Sequence, residues 1–172
     1  TVDIGSTNSE RYIPSLNQWV ADSTVPVSLY DPYGYETGGG FLLPNGNAFF
    51  LGSLSHTAIY TPSGTTSPGT WSAGPDIPGP SGTPDAPAVM LPNGKILVAV
   101  SPIPTSPNHF PSPTTFYEYD YVANSFTAVP TPSHDTDASN VTATSVNMRR
   151  INIAMESPAV RSVMCARMVL AK

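Results

Sequence analysis

Up to residue 130 the hydrophobic positions fall in short runs, each cut by Pro, Gly, Asn or Ser. Two of these runs share a centre. "FLLPNGNAFF" (41–50) and "VMLPNGKILV" (89–98) both carry Leu-Pro-Asn-Gly, the second copy 48 residues after the first (91 − 43). In such a turn Pro pre-sets φ at the first position, Asn tolerates the bridge or left-handed region, and Gly takes positive φ without a Cβ clash. The runs on either side are therefore predicted to pair as tight hairpins. The likeness extends further. "NAFFLGS" (47–53), "HTAIYTP" (56–62) and "GTWSAGP" (69–75) follow the first copy, and "KILVAVS" (95–101), "TTFYEYD" (114–120) and "NSFTAVP" (124–130) follow the second. A shortened version opens the chain as "TVDIG" (1–5), "SERYIP" (9–14) and "NQWVAD" (17–22), so that Trp19, Trp71 and Phe126 take corresponding places. Each full unit predicts four strands, near 37–43, 47–53, 56–62 and 70–74, then near 85–91, 95–101, 114–120 and 125–129. "ILVAV" is almost wholly apolar, as a strand covered on both faces must be.

A period near 50 with four strands per unit is the signature of a β-propeller blade. A β-sandwich with an accidental repeat is the alternative, and the turn, the tyrosine and the aromatic recurring in register speak against it. The unit resembles a kelch-type repeat of the galactose oxidase and kelch-like superfamily. The resemblance rests on Leu43 to Gly46, Gly52, Tyr60, Pro62 and Trp71, then on Leu91 to Gly94, Tyr119, Asp120 and Phe126, with Phe126 replacing Trp. It covers residues 1–133 and departs from the family where "AVSP" stands in place of a double Gly. What it implies is an all-β fold: four-stranded antiparallel blades of an incomplete kelch-like β-propeller, followed by an atypical C-terminal tail. The divisions expected are 1–22 (outer strands of an incomplete blade), 23–75 and 76–133 (one blade each), and 134–172 (the tail). Propellers close with four to eight blades, so two and a part are not expected to close a ring alone.

Composition narrows the function classes. Twenty prolines and thirteen glycines in 172 residues leave little room for long helices before residue 140. Net charge is −5, and Arg11 and Lys95 are the only Lys or Arg among the first 148 residues, so neither nucleic acid nor a membrane is an expected partner. No apolar run reaches the roughly 18 residues of a transmembrane helix. Low charge with Ser/Thr/Pro/Gly-rich loops, and an Asn-Val-Thr sequon at Asn140, suit an extracellular or secreted protein. The single Cys165 offers no internal disulfide, and no Cys/His cluster has zinc-ligand spacing. Past residue 140 the pattern breaks: five of the seven basic residues and four of the five Met lie in the last 25 positions. Two readings meet there, a basic Met-rich helix that covers a blade face or docks a partner, and an unrelated or frame-shifted terminus. The second is favoured, because the repeat does not carry across the junction.

Chemistry is sparse. Galactose-oxidase-type enzymes hold copper with two His and two Tyr, one of them crosslinked to Cys. Cys165 lies outside the resembling region and His56, His109 and His134 are scattered, so no catalytic residue, metal or other cofactor is expected. "TGGGF" (37–41) sits on an expected inner strand and reads as close backbone packing, not as a phosphate loop. "SHDTDASN" (133–140) lacks the Gly and distal Glu of an EF-hand and reads as a solvated acidic turn. The long connections 23–36, 76–85 and 102–113 are predicted to emerge on one face, bringing Tyr30, Tyr33, Tyr35, Glu36, Asp85, Asn108, His109 and Phe110 to the same side. Tyr33, Tyr35, Glu36, Asp85, Asn108 and His109 are the candidate ligand-binding residues, since rings stack on apolar faces while carboxylates and amides fix orientation. The function expected is non-catalytic binding or scaffolding, with a carbohydrate or protein ligand at that loop face. The alternatives are a fragment of a galactose-oxidase-type copper oxidase without its metal site, and a truncated propeller that self-associates through open blade edges.

Overall fold

The structure, a computed structural model, describes residues 7–131. Within them the chain is all-β and antiparallel, with no helix. A two-stranded hairpin comes first, β1 (Glu10–Ile13) with β2 (Gln18–Ala21). A four-stranded meander follows, β3 (Gly40–Leu42), β4 (Ala48–Leu51), β5 (Thr57–Thr61) and β6 (Thr70–Ala73), in sheet order β3-β4-β5-β6. The third sheet holds β7 (Ser81–Gly82), β8 (Ala88–Met90), β9 (Ile96–Pro102), β10 (Thr115–Asp120) and β11 (Ser125–Val129). Its order is β11-β10-β9, with β7 and β8 both pairing along the remaining edge of β9. These sheets do not form a closed ring. The eight strands expected in the two full units all form. β7 is an addition, and it makes the last sheet five-stranded. Residues 1–6, the acidic stretch 133–140, the basic Met-rich tail, His134 and Cys165 lie outside the described residues.

Both Leu-Pro-Asn-Gly turns fold in the same way. Gly46 N–H donates to Leu43 O at 2.9 Å and Leu43 N–H to Asn47 O at 2.7 Å; Gly94 to Leu91 and Leu91 to Lys95 repeat those distances. The Asn45 and Asn93 side-chain oxygens accept from the backbone N–H two residues on, at 3.1 Å each. Gly46 and Gly94 sit at φ +87° and +83°, the left-handed region in which Gly carries no Cβ penalty. The result is a three-residue hairpin loop with Gly at its left-handed position.

Register explains the recurring aromatics. Tyr12 pairs with Trp19, Tyr60 with Trp71 and Tyr119 with Phe126, each across neighbouring antiparallel strands. The ring centroids are 5.5, 5.0 and 5.2 Å apart and the planes are inclined by 50°, 53° and 48°. One cross-strand pair is thus built three times with almost the same geometry, which is how side chains directly opposite each other stabilise a sheet.

Each pair after the first packs against the preceding sheet. Tyr119 stacks on Phe49 of β4 at 3.8 Å, inside a core of Leu43, Phe49, Leu51, Ile77, Ile96, Val98 and Val100 between the second and third sheets. The Tyr60 hydroxyl donates to Asp22 Oδ2 at 2.5 Å, and the Trp71 indole N–H donates to Ser9 Oγ at 3.0 Å, tying the second sheet to the hairpin before it. Asp22 also accepts from Arg11 Nε at 2.7 Å, from Gly69 N–H at 3.0 Å, and from the Ser23 N–H and hydroxyl. β9 answers the sequence expectation for an apolar strand: Ile96, Val98, Ala99 and Val100 are all fully buried.

Candidate functional site

Antiparallel meanders send their connections to two ends. The Leu-Pro-Asn-Gly turns share one end and lie side by side, since a Cβ on Gly94 would meet the Pro44 ring at 2.8 Å. At the other end emerge residues 23–39, 52–56, 74–87 and 103–114. Backbone hydrogen bonds knit them together: Ser53 N–H to Leu29 O, Thr83 N–H to Gly52 O and Ile77 N–H to Ser55 O. The Thr83 hydroxyl adds a bond to Gly52 O at 2.8 Å. Gly38 fits here because any side chain would collide with Thr83 and Leu51, so part of "TGGGF" does serve close packing.

The first connection is organised by a residue that the sequence reading passed over. Asp31 is fully buried. Its Oδ1 accepts the backbone N–H groups of Tyr33 and Gly34 at 2.8 and 2.6 Å, and its Oδ2 accepts that of Glu36 at 3.3 Å. A backbone pair, Asp31 N–H to Glu36 O and Tyr35 N–H to Asp31 O, closes the loop. An aspartate that folds the following residues onto its own carboxylate is a turn device of this residue type. Asp-Pro-Tyr-Gly carries the sequence signal for this turn. Tyr35 sits at φ +56° and stacks on Tyr30 with parallel rings 6.3 Å apart. Tyr33 and Tyr35 are 44% and 59% exposed, so neither packs beneath its loop.

Glu36 is the focus of this end. Its Oε2 is buried with no hydrogen-bond partner. Burial pushes its carboxyl above the usual range, the nearby charges of Asp85 and Asp31 push it further, and His109 opposes them. These four side chains come from three separate connections. Glu36 thus feels the charges of Asp85 and His109, which come from the other two connections. Asp85 is exposed and held at φ +47°. His109 packs edge-on against Phe110 at 6.5 Å. Asn108 is exposed, and its backbone pairs with Thr105 inside its own loop. At the same end His56 Nδ1 lies 2.9 Å from Asp76 Oδ1, both exposed.

Among the described residues no three His, Cys, Asp or Glu side chains are arranged to hold a metal ion. The site offers hydrogen-bonding carboxylates and exposed phenol rings. Compared with known proteins, the chain matches no family model and no curated protein sequence.

Proposed function

We propose that residues 7–131 belong to a kelch-like β-propeller that acts in binding or scaffolding without catalysis, and that it takes a carbohydrate or protein ligand at the loop end. Support for the propeller reading comes from repetition. The same turn occurs twice and the same cross-strand aromatic pair three times, each later pair packed on the sheet before it. Sheets stacked face on face by one rule are the elements of a radial array.

The observation that carries the functional reading is the buried, unpartnered Glu36 Oε2 in a connection that also exposes Tyr33 and Tyr35, with Asp31, Asp85 and His109 near enough to act on its charge. A carboxylate oxygen buried without a partner is costly to keep, and a ligand hydroxyl or amide N–H would satisfy it. The test is to probe glycan and peptide arrays with the full chain and with a Tyr35→Ala/Glu36→Ala variant. The expected result is a set of ligands bound by the wild type and lost, by about tenfold or more, in the variant. No ligand on either array, or ligands held equally by both proteins, would overturn the reading.

A further inference from the structure

A cavity of about 310 Å³ opens between the β1–β2 hairpin and the β3–β6 sheet, nearer the Leu-Pro-Asn-Gly end, where Tyr60 pairs with Ala48 just after the turn. Its lining includes Tyr12, Trp19, Phe50, Tyr60 and Trp71, with Arg11 in its wall. Both tryptophans of the chain are therefore in it. None of these residues belongs to the loop cluster.

We propose that this cleft binds a neutral saccharide of one or two pyranose rings. The first reason is the state of the aromatic pair. Tyr119–Phe126 packs on Phe49 of the preceding sheet and Tyr60–Trp71 is half-buried against the hairpin, whereas Trp19 and Tyr12 remain 57% and 43% exposed at the same pair geometry. Two inclined rings with a wet outer edge form a platform for the C–H face of a sugar. Charge is the second reason. Arg11 and Asp22 neutralise one another at 2.7 Å. Asp22 already accepts from Arg11, Ser23, Tyr60 and Gly69, so it is poorly placed to recruit a cation. Burial alone would raise the Asp22 carboxyl, but the bonds from Tyr60, Ser23 and Arg11 outweigh it and hold the carboxyl below its usual range. Donors are the third reason. Arg11 spends its Nε on Asp22 and one N–H from each terminal nitrogen on the Thr65 and Thr66 carbonyls, leaving two of its five N–H groups for hydroxyls. A cleft with apolar rings, spare donors, an internally paired Arg11–Asp22 and the Glu10 carboxylate in its lining, at the small end of the usual range for ligand pockets, matches a sugar better than a lipid or an anion.

Because Trp19 and Trp71 are the only tryptophans, intrinsic fluorescence of the full chain reads this cavity directly. The probes are cellobiose, maltose and lactose, each titrated into wild type, Trp19→Ala, Trp19→Phe, Val122→Ala and Tyr35→Ala. The account expects a saturable change with at least one disaccharide, at a Kd of about 1 mM. It should be weakened about tenfold or more by Trp19→Ala, partly kept by Trp19→Phe, and unchanged by Val122→Ala, an exposed position on the turn between β10 and β11. Trp19 is exposed, so the alanine variant should fold, and its circular dichroism should overlay that of the wild type. No response to any of the three sugars overturns the proposal. So does a response that Tyr35→Ala removes as fully as Trp19→Ala, which would move the sugar to the loop end. Loss of binding in Tyr35→Ala alone would leave the loop reading standing without this one, and the reverse pattern would separate them the other way.

Discussion

Two carboxylates show how environment sets opposite pH dependences within one chain. Asp22 is almost wholly buried but collects donors from four residues, which hold its carboxyl below the ordinary value of 3.8. A folded-state pKa that is lowered contributes stability above the unfolded pKa, and this is lost as pH falls through the folded value. Asp22→Asn should therefore cost on the order of 2 kcal/mol in urea unfolding near neutral pH, and progressively less in acid below pH 3.8. Glu36 is the reverse case, raised above 4.5 by burial and by Asp85 and Asp31. Protonation removes its charge penalty, which returns as pH rises through the raised value. Glu36→Gln is expected to raise Tm near neutral pH, with the gain disappearing as pH drops below about 4.5. Thermal scans at both ends of that range check the sign. Little of this was legible in the sequence. Glu36 was picked out as a loop residue, but its burial depends on where three connections meet. Asp22 read only as the end of "NQWVAD", because its donors sit as far away as Gly69.

At the scale of elements the sequence was far more readable, and the turns explain why. Pro-Asn-Gly specifies its own geometry from within four residues, so both hairpins and their flanking strands could be placed before any contact was known. The two turns differ in surroundings. Nothing lies within 4 Å of the Cβ position at Gly46, whereas at Gly94 that position meets Pro44 at 2.8 Å and Tyr121 at 3.2 Å. Gly46→Ala should cost about 1 kcal/mol, the left-handed backbone penalty alone. Gly94→Ala should cost distinctly more, because it also forces the two turns apart; paired denaturant curves measure the difference. β7 was not foreseen. Two residues in a stretch rich in Pro and Gly carry no alternation, and Ser81–Gly82 becomes a strand only because Pro102 and Ser101 of β9 lie opposite. The last sheet thus gained a strand that no local pattern encodes.

Across the described residues, successive sheets stack by one rule, the Tyr-bearing pair of each later sheet packing on the sheet before it. The sequence displayed the pair three times, but not what covers it. That Phe49 would meet Tyr119 across 70 residues follows from stacking, which no local signal shows. Phe49→Ala removes a fully buried ring from the core between two sheets, and should cost on the order of 3–5 kcal/mol in an equilibrium unfolding experiment. The exposed Tyr12–Trp19 pair should respond differently: Tyr12→Ala is expected to cost under about 1 kcal/mol. The most direct test of the stacking rule is a NOESY spectrum of the full chain with assigned aromatic and proline resonances. The account predicts cross-peaks from the Phe49 ring to the Tyr119 ring, and from Gly94 Hα to the Pro44 ring protons. Intact cross-strand peaks within each sheet, with both of those inter-sheet contacts missing, would contradict it.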